Sequence, residues 1–154
     1  MDAYVPNLLN QKVDYRFEES AFGLRRSFLY PNGRLFTEYQ SSATLLGWPL
    51  IHITRGICPE TGRHIVARGW FAVGRVAVGG IAVGHVAAGA IAIGQASVGL
   101  LAGIGQLTFG AVALGQAAIG LALGVGQFVT GYFAFGQFAF GVEVWGQITR
   151  TLGG

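Results

Sequence analysis

Charged side chains are scarce in this sequence, and the shortage is concentrated in one stretch. Asp, Glu, Lys and Arg make up 11% of the 154 residues, less than half of the about 25% typical of soluble domains. Residues 76–142 contain none of the four, and His85 is the single histidine there. Because a soluble particle needs a polar surface, this stretch is either largely enclosed or faces something other than water.

Cysteine is almost absent too, which excludes several kinds of site. The lone Cys58 cannot form an internal disulfide or a cysteine-based metal centre. His52 and His64 could approach it, but a third or fourth ligand is missing, so we expect no metal and no cofactor. No nucleophile and base pair or phosphate-loop motif is present, so we expect a protein that is not an enzyme. The net charge of +3 comes from mixed basic and acidic residues, so nucleic acid is not an expected partner.

Glycine, in contrast, is abundant, with 26 residues, and it recurs every five residues from Gly69 to Gly146. The unit reads x-φ-Ala-φ-Gly, where φ is a large apolar residue, as in 75–79. One extra residue enters the rhythm in 99–105 and another in 120–126. Glycines five residues apart trace no coherent face of a helix. The rhythm therefore predicts short β-strands in stacked repeat units.

Glutamine follows every second repeat glycine and suggests the size of one turn. Four repeats to the turn predict an all-β, four-sided β-solenoid with about four coils, each of 20 or 21 residues by the glutamine spacing. Polar ladders would then occupy two opposite corners, and the other two corners would be apolar. The first ladder is Arg75, Gln95, Gln116 and Gln137, and the second is His85, Gln106, Gln127 and Gln147.

The five-residue unit and the four-sided coil resemble the pentapeptide-repeat β-helix, although the usual central Leu with a polar neighbour is absent. The segments 38–41, 49–52, 61–62 and 67–70, which lead into the repeats, also resemble a group of bacterial proteins without an assigned function. The resemblance implies a β-helical fold and no catalytic residues to transfer. A DNA-mimic role would need an acidic outer face, which this sequence lacks.

Residues 1–68 are expected to form a small β-rich cap in front of the repeats of residues 69–150. The strands 27–30 and 35–39 flank an Asn-Gly turn, which is typical of a hairpin. The segments 50–54 and 64–67 are predicted to form a second hairpin by the same reasoning. A polar cap would protect the open edge that stacked strands leave at one end.

Residue size suggests which side of the repeat faces inward. The middle position is almost always Ala, whereas the two φ positions range from Ala to Phe. A position inside a close-packed interior should hold one size, which favours alanine inside and the large apolar residues outside. The opposite arrangement buries more apolar area and remains open.

With the large residues outside, the expected function is a structural or scaffold role on a membrane or a membrane protein complex. Four coils would reach about 19 Å, short of a hydrocarbon core of about 30 Å. Arg55, Arg63, Arg68 and Arg75 would place the cap on the cytoplasmic side. The alternative is a cytoplasmic, soluble module that self-assembles or binds a protein partner; either form is expected to be a homo-oligomer or to have a protein partner. The expected apolar interaction surface is Leu100, Leu121, Phe133, Phe135, Phe138, Phe140 and Trp145.

Overall fold

The computed structural model describes residues 13–152, so residues 1–12 of the expected cap lie outside the described part. Those residues form an all-β protein. Five strands form one sheet in the order β1-β2-β3-β6-β7, and β4 pairs with β5 separately. The strands are β1 (Arg16–Ser20), β2 (Gly23–Leu29), β3 (Leu35–Ser41), β4 (Thr44–Leu45), β5 (Trp48–Pro49), β6 (Ile51–Arg55) and β7 (Val66–Thr151).

The first predicted hairpin is confirmed. Strands β2 and β3 pair antiparallel, with Leu29 opposite Leu35 at the turn. The Tyr30 N–H donates to the Arg34 carbonyl at 2.8 Å. Gly33 takes a φ of 79°, which costs glycine little and explains the Asn-Gly pair at this position.

The second predicted hairpin is wrong. Strand β6 pairs antiparallel with β3 and parallel with the segment 71–73 of β7, with Ile51 opposite Phe71. The segment 64–67 does not pair antiparallel with β6. The chain between them contains two left-handed glycines, Gly56 and Gly62, and forms a loop that lets β7 enter in the same direction as β6. Strand β6 therefore runs parallel to the first residues of β7.

Strand β7 contains 86 residues, and a straight strand of that length would measure about 280 Å. Instead it returns to itself every ten or eleven residues. A Cβ atom built on Gly79 would overlap the carbonyl oxygen of Gly69, and one built on Gly89 would overlap that of Gly79. The same relation joins Gly105 to Gly94. None of the repeat glycines has a positive φ, so the residue is needed here for close approach of two backbones.

The expected period of 20 or 21 residues is not confirmed, because the contacts follow half of that spacing. The Leu152 N–H donates to the Gly141 carbonyl at 2.7 Å. The Ser97 hydroxyl donates to the Thr108 hydroxyl at 2.8 Å. Each pair is eleven residues apart. For Ser97 and Thr108 this separation equals two five-residue units plus the residue added in 99–105. For Gly141 and Leu152 it equals two units plus one residue, because the hydrogen bonds between parallel strands are slanted.

The interior of β7 is lined by alanine, as residue size suggests, and the large apolar side chains lie outside. Apart from Ala102, which is half-buried, the alanines at the middle position are at most 2% exposed. They form two clusters, one before and one after the buried Ser97 and Thr108 pair. The buried alanines are Ala67, Ala72, Ala77, Ala82, Ala87, Ala92, Ala113, Ala118, Ala134 and Ala139.

The two added residues of the repeat compensate for larger side chains in the interior. Thr108 and Val129 replace alanine at buried positions. A Cβ atom on Gly103 would overlap the Thr108 hydroxyl, and one on Gly124 would overlap a Val129 methyl group. Each extra residue therefore gives a local bulge that turns a glycine inward, where a wider side chain arrives from the opposite strand.

Candidate interaction surfaces

His85 and the glutamines that follow it lie along a single edge of β7. His85, Gln95, Gln106, Gln116 and Gln127 line one groove of about 510 Å³. This groove contains members of both expected ladders, so the prediction of two ladders on opposite corners is wrong. The reason is the contact period: with a turn of ten or eleven residues, every second repeat returns to the same edge. By spacing, Arg75, Gln137 and Gln147 continue the same line, which we call the polar edge.

The other edge of β7 is apolar. It carries the residues that follow the alternate glycines, among them Leu100 and Leu121. These two side chains are 77% and 66% exposed. Nearer the cap, the Trp70 indole N–H donates to the Leu45 carbonyl at 2.9 Å, so the β4–β5 pair covers this edge at its start. Beyond that point the apolar edge is open.

Aromatic side chains cover both outer faces near the end of β7. Phe133, Phe135, Phe140 and Trp145 are each about 40–50% exposed, whereas Phe138 is half-buried. Phe138 stacks on Phe128 with ring centroids 4.8 Å apart, as expected for outward side chains on neighbouring turns. Phe135 stacks on Trp145 at 4.5 Å. We call the exposed large side chains of β7 outside the polar edge the apolar wall.

A second and larger cavity, of about 770 Å³, lies where the cap meets the polar edge. Its polar lining includes Arg55, His64 and Arg75, and its apolar lining includes Val73 and Val83. A neighbouring cavity of about 320 Å³ shares the three basic residues and adds Arg34. No carboxylate lines either cavity, and within residues 13–152 the three arginines form no ion pair.

Two hydrogen bonds fix the geometry of this basic cavity. The His64 Nδ1 lies 2.8 Å from the Gly56 carbonyl oxygen, so Nδ1 carries the hydrogen. The His64 Nε2 lies 2.8 Å from an Arg75 guanidinium nitrogen. Because an arginine only donates, Nε2 is the acceptor in this hydrogen bond. His64 therefore orients Arg75, and the other N–H groups of the Arg75 guanidinium remain free for another acceptor.

A buried polar chain fastens the cap to β7. Arg26 donates to Glu38 at 2.5 Å, and His52 donates to the other Glu38 oxygen at 2.9 Å. The Arg68 N–H of β7 donates to His52 Nδ1 at 3.0 Å. Burial of Glu38 opposes its ionisation, but the hydrogen bonds from His52 and Arg26 outweigh it and lower the pKa of Glu38 below its usual value. This chain links β2, β3, β6 and β7.

The three residues considered for a metal site are placed apart by this arrangement. His52 belongs to the polar chain, His64 holds Arg75, and Cys58 is buried beside Tyr15 in a small aromatic core. Burial raises the pKa of Tyr15, and the nearby Cys58 adds to the effect. Within the described range, no group of three or more His, Cys, Asp or Glu side chains is arranged to hold a metal ion.

Sequence reasoning missed the basic cavity as a site. It noted the arginines that precede the apolar stretch, but it did not bring His64 into contact with Arg75. That contact depends on the loop after β6 and on the ten-residue return of β7, neither of which local pattern reveals. The one available signal was the concentration of Arg55, Arg63, Arg68 and Arg75 just before the residues without charge.

No helix in residues 13–152 has the length and apolar character needed to cross a membrane. Comparison with other proteins adds no further assignment. None of the protein-family models matches this sequence, and no curated protein or solved structure is significantly similar to it.

Proposed function

We propose that β7 forms a flattened β-solenoid whose turns contain two strands each, with the N-terminal strands as its cap. Three observations support this arrangement. Glycines ten or eleven residues apart approach each other, the middle alanines are buried, and β6 pairs parallel with the first turn. The 86 residues would make about eight turns, or a rod about 38 Å long at the usual strand spacing.

We propose further that the protein is a non-enzymatic scaffold that associates with a membrane, or with a complex in it, through the apolar wall. The observation that carries this proposal is the direction of the large side chains. In residues 76–142, which have no formal charge, the bulky residues lie outside and the methyl groups inside. Exposed apolar surface of this extent marks a contact with lipid or protein.

The polar edge suggests how such a rod would lie. A strand of five residues spans about 16 Å, close to half of a hydrocarbon core of about 30 Å. A rod lying in the plane of the membrane would keep the polar edge at the headgroups and bury the apolar edge in one leaflet. The arginines of the cap would sit at the same level, on the cytoplasmic side by the positive-inside tendency.

Detergent dependence during purification tests this function. We expect the protein to sediment with membranes and to need detergent for a monodisperse state, because the apolar wall would otherwise stay in water. The whole chain recovered in the soluble fraction as a monodisperse monomer without detergent would contradict the proposal. Leu121→Gln and Phe135→Gln together should shift the protein toward the soluble fraction, whereas the matched polar-edge pair Gln106→Asn and Gln127→Asn should not.

A second candidate is a soluble module that self-assembles, and the last turn favours it. Within residues 13–152 no later strand follows the last turn, 142–152, in which the Leu152 N–H donates to the Gly141 carbonyl. An uncovered strand edge can pair with another chain. Glu143 and Arg150 lie in this turn, and charge at an edge usually limits such pairing. Concentration-dependent dimers without detergent, lost after Thr149→Pro, would support this alternative.

A further inference from the structure

We propose that the cavity between Arg55, His64 and Arg75 binds the headgroup of an anionic phospholipid in the bilayer. This inference rests on the proposed membrane association and names the lipid chemistry that would be recognised. Its starting observation is a cavity of about 770 Å³ that is lined by both basic and apolar side chains. A ligand that matches both surfaces must carry an anionic head and an apolar body.

The charge of the cavity selects an anion. Arg55 and Arg75 line it, and Arg34 reaches the adjoining cavity that shares both residues. Their guanidinium groups have no carboxylate partner among the described residues. Arginine binds phosphate oxygens through two parallel N–H groups, which gives both affinity and orientation. The His64 ring fixes one of these guanidinium groups in place.

The wall of the cavity selects a lipid rather than a free anion. Ile53, Val73, Val83 and Ile93 lie next to one another on successive rows of the sheet. Rows are about 4.8 Å apart, so these four side chains form an apolar strip about 14 Å long. Ile53 and Val73 lie two residues before Arg55 and Arg75, and the three members of the strip on β7 belong to the apolar wall. A headgroup phosphate on the arginines would therefore leave its acyl chains against hydrocarbon-like surface.

The position of the cavity agrees with the proposed orientation of the rod. Arg75 is the first residue of the polar edge, and His85 and Gln95 line both the cavity and the polar groove. In a rod lying in the membrane plane, this edge is at the level of the headgroups. The cavity then opens at the depth where lipid phosphates are found.

Vesicle flotation tests the inference with the full-length chain. We expect the protein to bind vesicles containing 30% phosphatidylglycerol at least tenfold more tightly than vesicles of phosphatidylcholine alone. The pair Arg55→Gln and Arg75→Gln should remove most of this preference, since each basic residue near an anionic surface contributes about fivefold. Binding to phosphatidylcholine should stay unchanged. The pair Arg55→Lys and Arg75→Lys should fall between, because charge remains but the paired N–H groups are lost.

The matched control is the pair Arg16→Gln and Arg150→Gln, which removes the same charge from exposed sites that do not line the cavity. The preference of this variant for phosphatidylglycerol vesicles should fall by less than about threefold. An equal loss in both pairs would show that only net charge matters and would overturn the inference. Far-UV circular dichroism of every variant verifies that the fold is kept.

The remaining outcomes separate this inference from the function on which it rests. Equal binding of the parent protein to both vesicles would overturn the headgroup site and leave membrane association intact. Binding to neither vesicle would overturn both. Thermal stabilisation by inorganic phosphate as large as that by phosphatidylglycerol vesicles would assign the cavity to a free anion and would also overturn the lipid site.

Discussion

At the scale of single residues, alanine methyl groups set the width of the interior of β7. Ala92 is fully buried, whereas Ala90 lies half-buried on the apolar edge. Leu100 and Leu121 already occupy the positions equivalent to Ala90 on later turns. The same substitution should therefore have opposite consequences at two alanines only two residues apart.

Ala92→Leu is expected to destabilise the protein severely, by about 3 kcal/mol or more, because the interior has no space for three further carbons. Ala90→Leu is the control and should change the midpoint of thermal unfolding by only a few degrees. Circular dichroism melting curves of both variants measure the difference. Similar midpoints would show that Ala92 is not enclosed.

At the scale of the element, the added glycines and the larger buried side chains form compensating pairs. Gly124 faces Val129, and Gly103 faces Thr108. Interiors are packed so closely that volume lost on one strand must be supplied by the opposite one. This explains why the repeat gains a residue in those two turns. The glycine spacing shows where the residues are added but not the reason.

A double-mutant cycle at Gly124 and Val129 tests this compensation. Val129→Ala should cost about 1–2 kcal/mol through a small cavity, and Gly124→Ala should cost as much or more through overlap with the Val129 methyl group. The double variant should be more stable than the sum of the two losses predicts. Additive losses in urea unfolding would contradict direct packing of the pair.

The period of β7 can be measured with engineered disulfides. Gln95→Cys with Gln106→Cys places two cysteines on neighbouring turns, about 4.8 Å apart, which suits a disulfide. Gln95→Cys with Gln116→Cys places them two turns apart, at about 9.6 Å, beyond the reach of the bond. We expect a crosslink in the first variant alone, identified by mass spectrometry of the peptides. The reverse result would restore the four-sided coil.

At the scale of the whole molecule, the cap and β7 are joined by one charged chain across four strands. Glu38 is central to it, since it accepts hydrogen bonds from Arg26 and His52. Its pKa is lower in the folded protein than the unperturbed value of 4.5. The stabilisation is therefore present above that value and is lost as the pH falls through the lower, folded pKa.

Glu38→Gln should lower stability by about 2 kcal/mol at pH 7, because the variant leaves Arg26 without its carboxylate. The gap between parent and variant should narrow as the pH falls from 4.5 through the lower, folded pKa of Glu38, because the parent then loses the charge too. Thermal unfolding from pH 7 to pH 3 measures both. Glu18→Gln is the control: it breaks an exposed pair with Arg25, which contributes little. A gap at pH 3 as large as the gap at pH 7 would contradict the role of ionised Glu38.

Much of this protein can be read from its sequence because the decisive physics is local. The five-residue rhythm excluded helices, the constant alanine indicated which side is interior, and Asn32-Gly33 located the first hairpin. The uncharged residues 76–142 implied an apolar outer surface. Each of these inferences depends on neighbours within a few positions.

The tertiary structure decided how many repeats make one turn, and everything that depends on that number. Glycine every five residues suits two strands per turn as well as four. The choice is made by methyl groups that touch across a narrow interior and by backbones that close on each other through glycine. The backbone contacts join residues ten or eleven positions apart, so they place the glutamines on one edge, set β6 parallel to the first turn and bring His64 to Arg75.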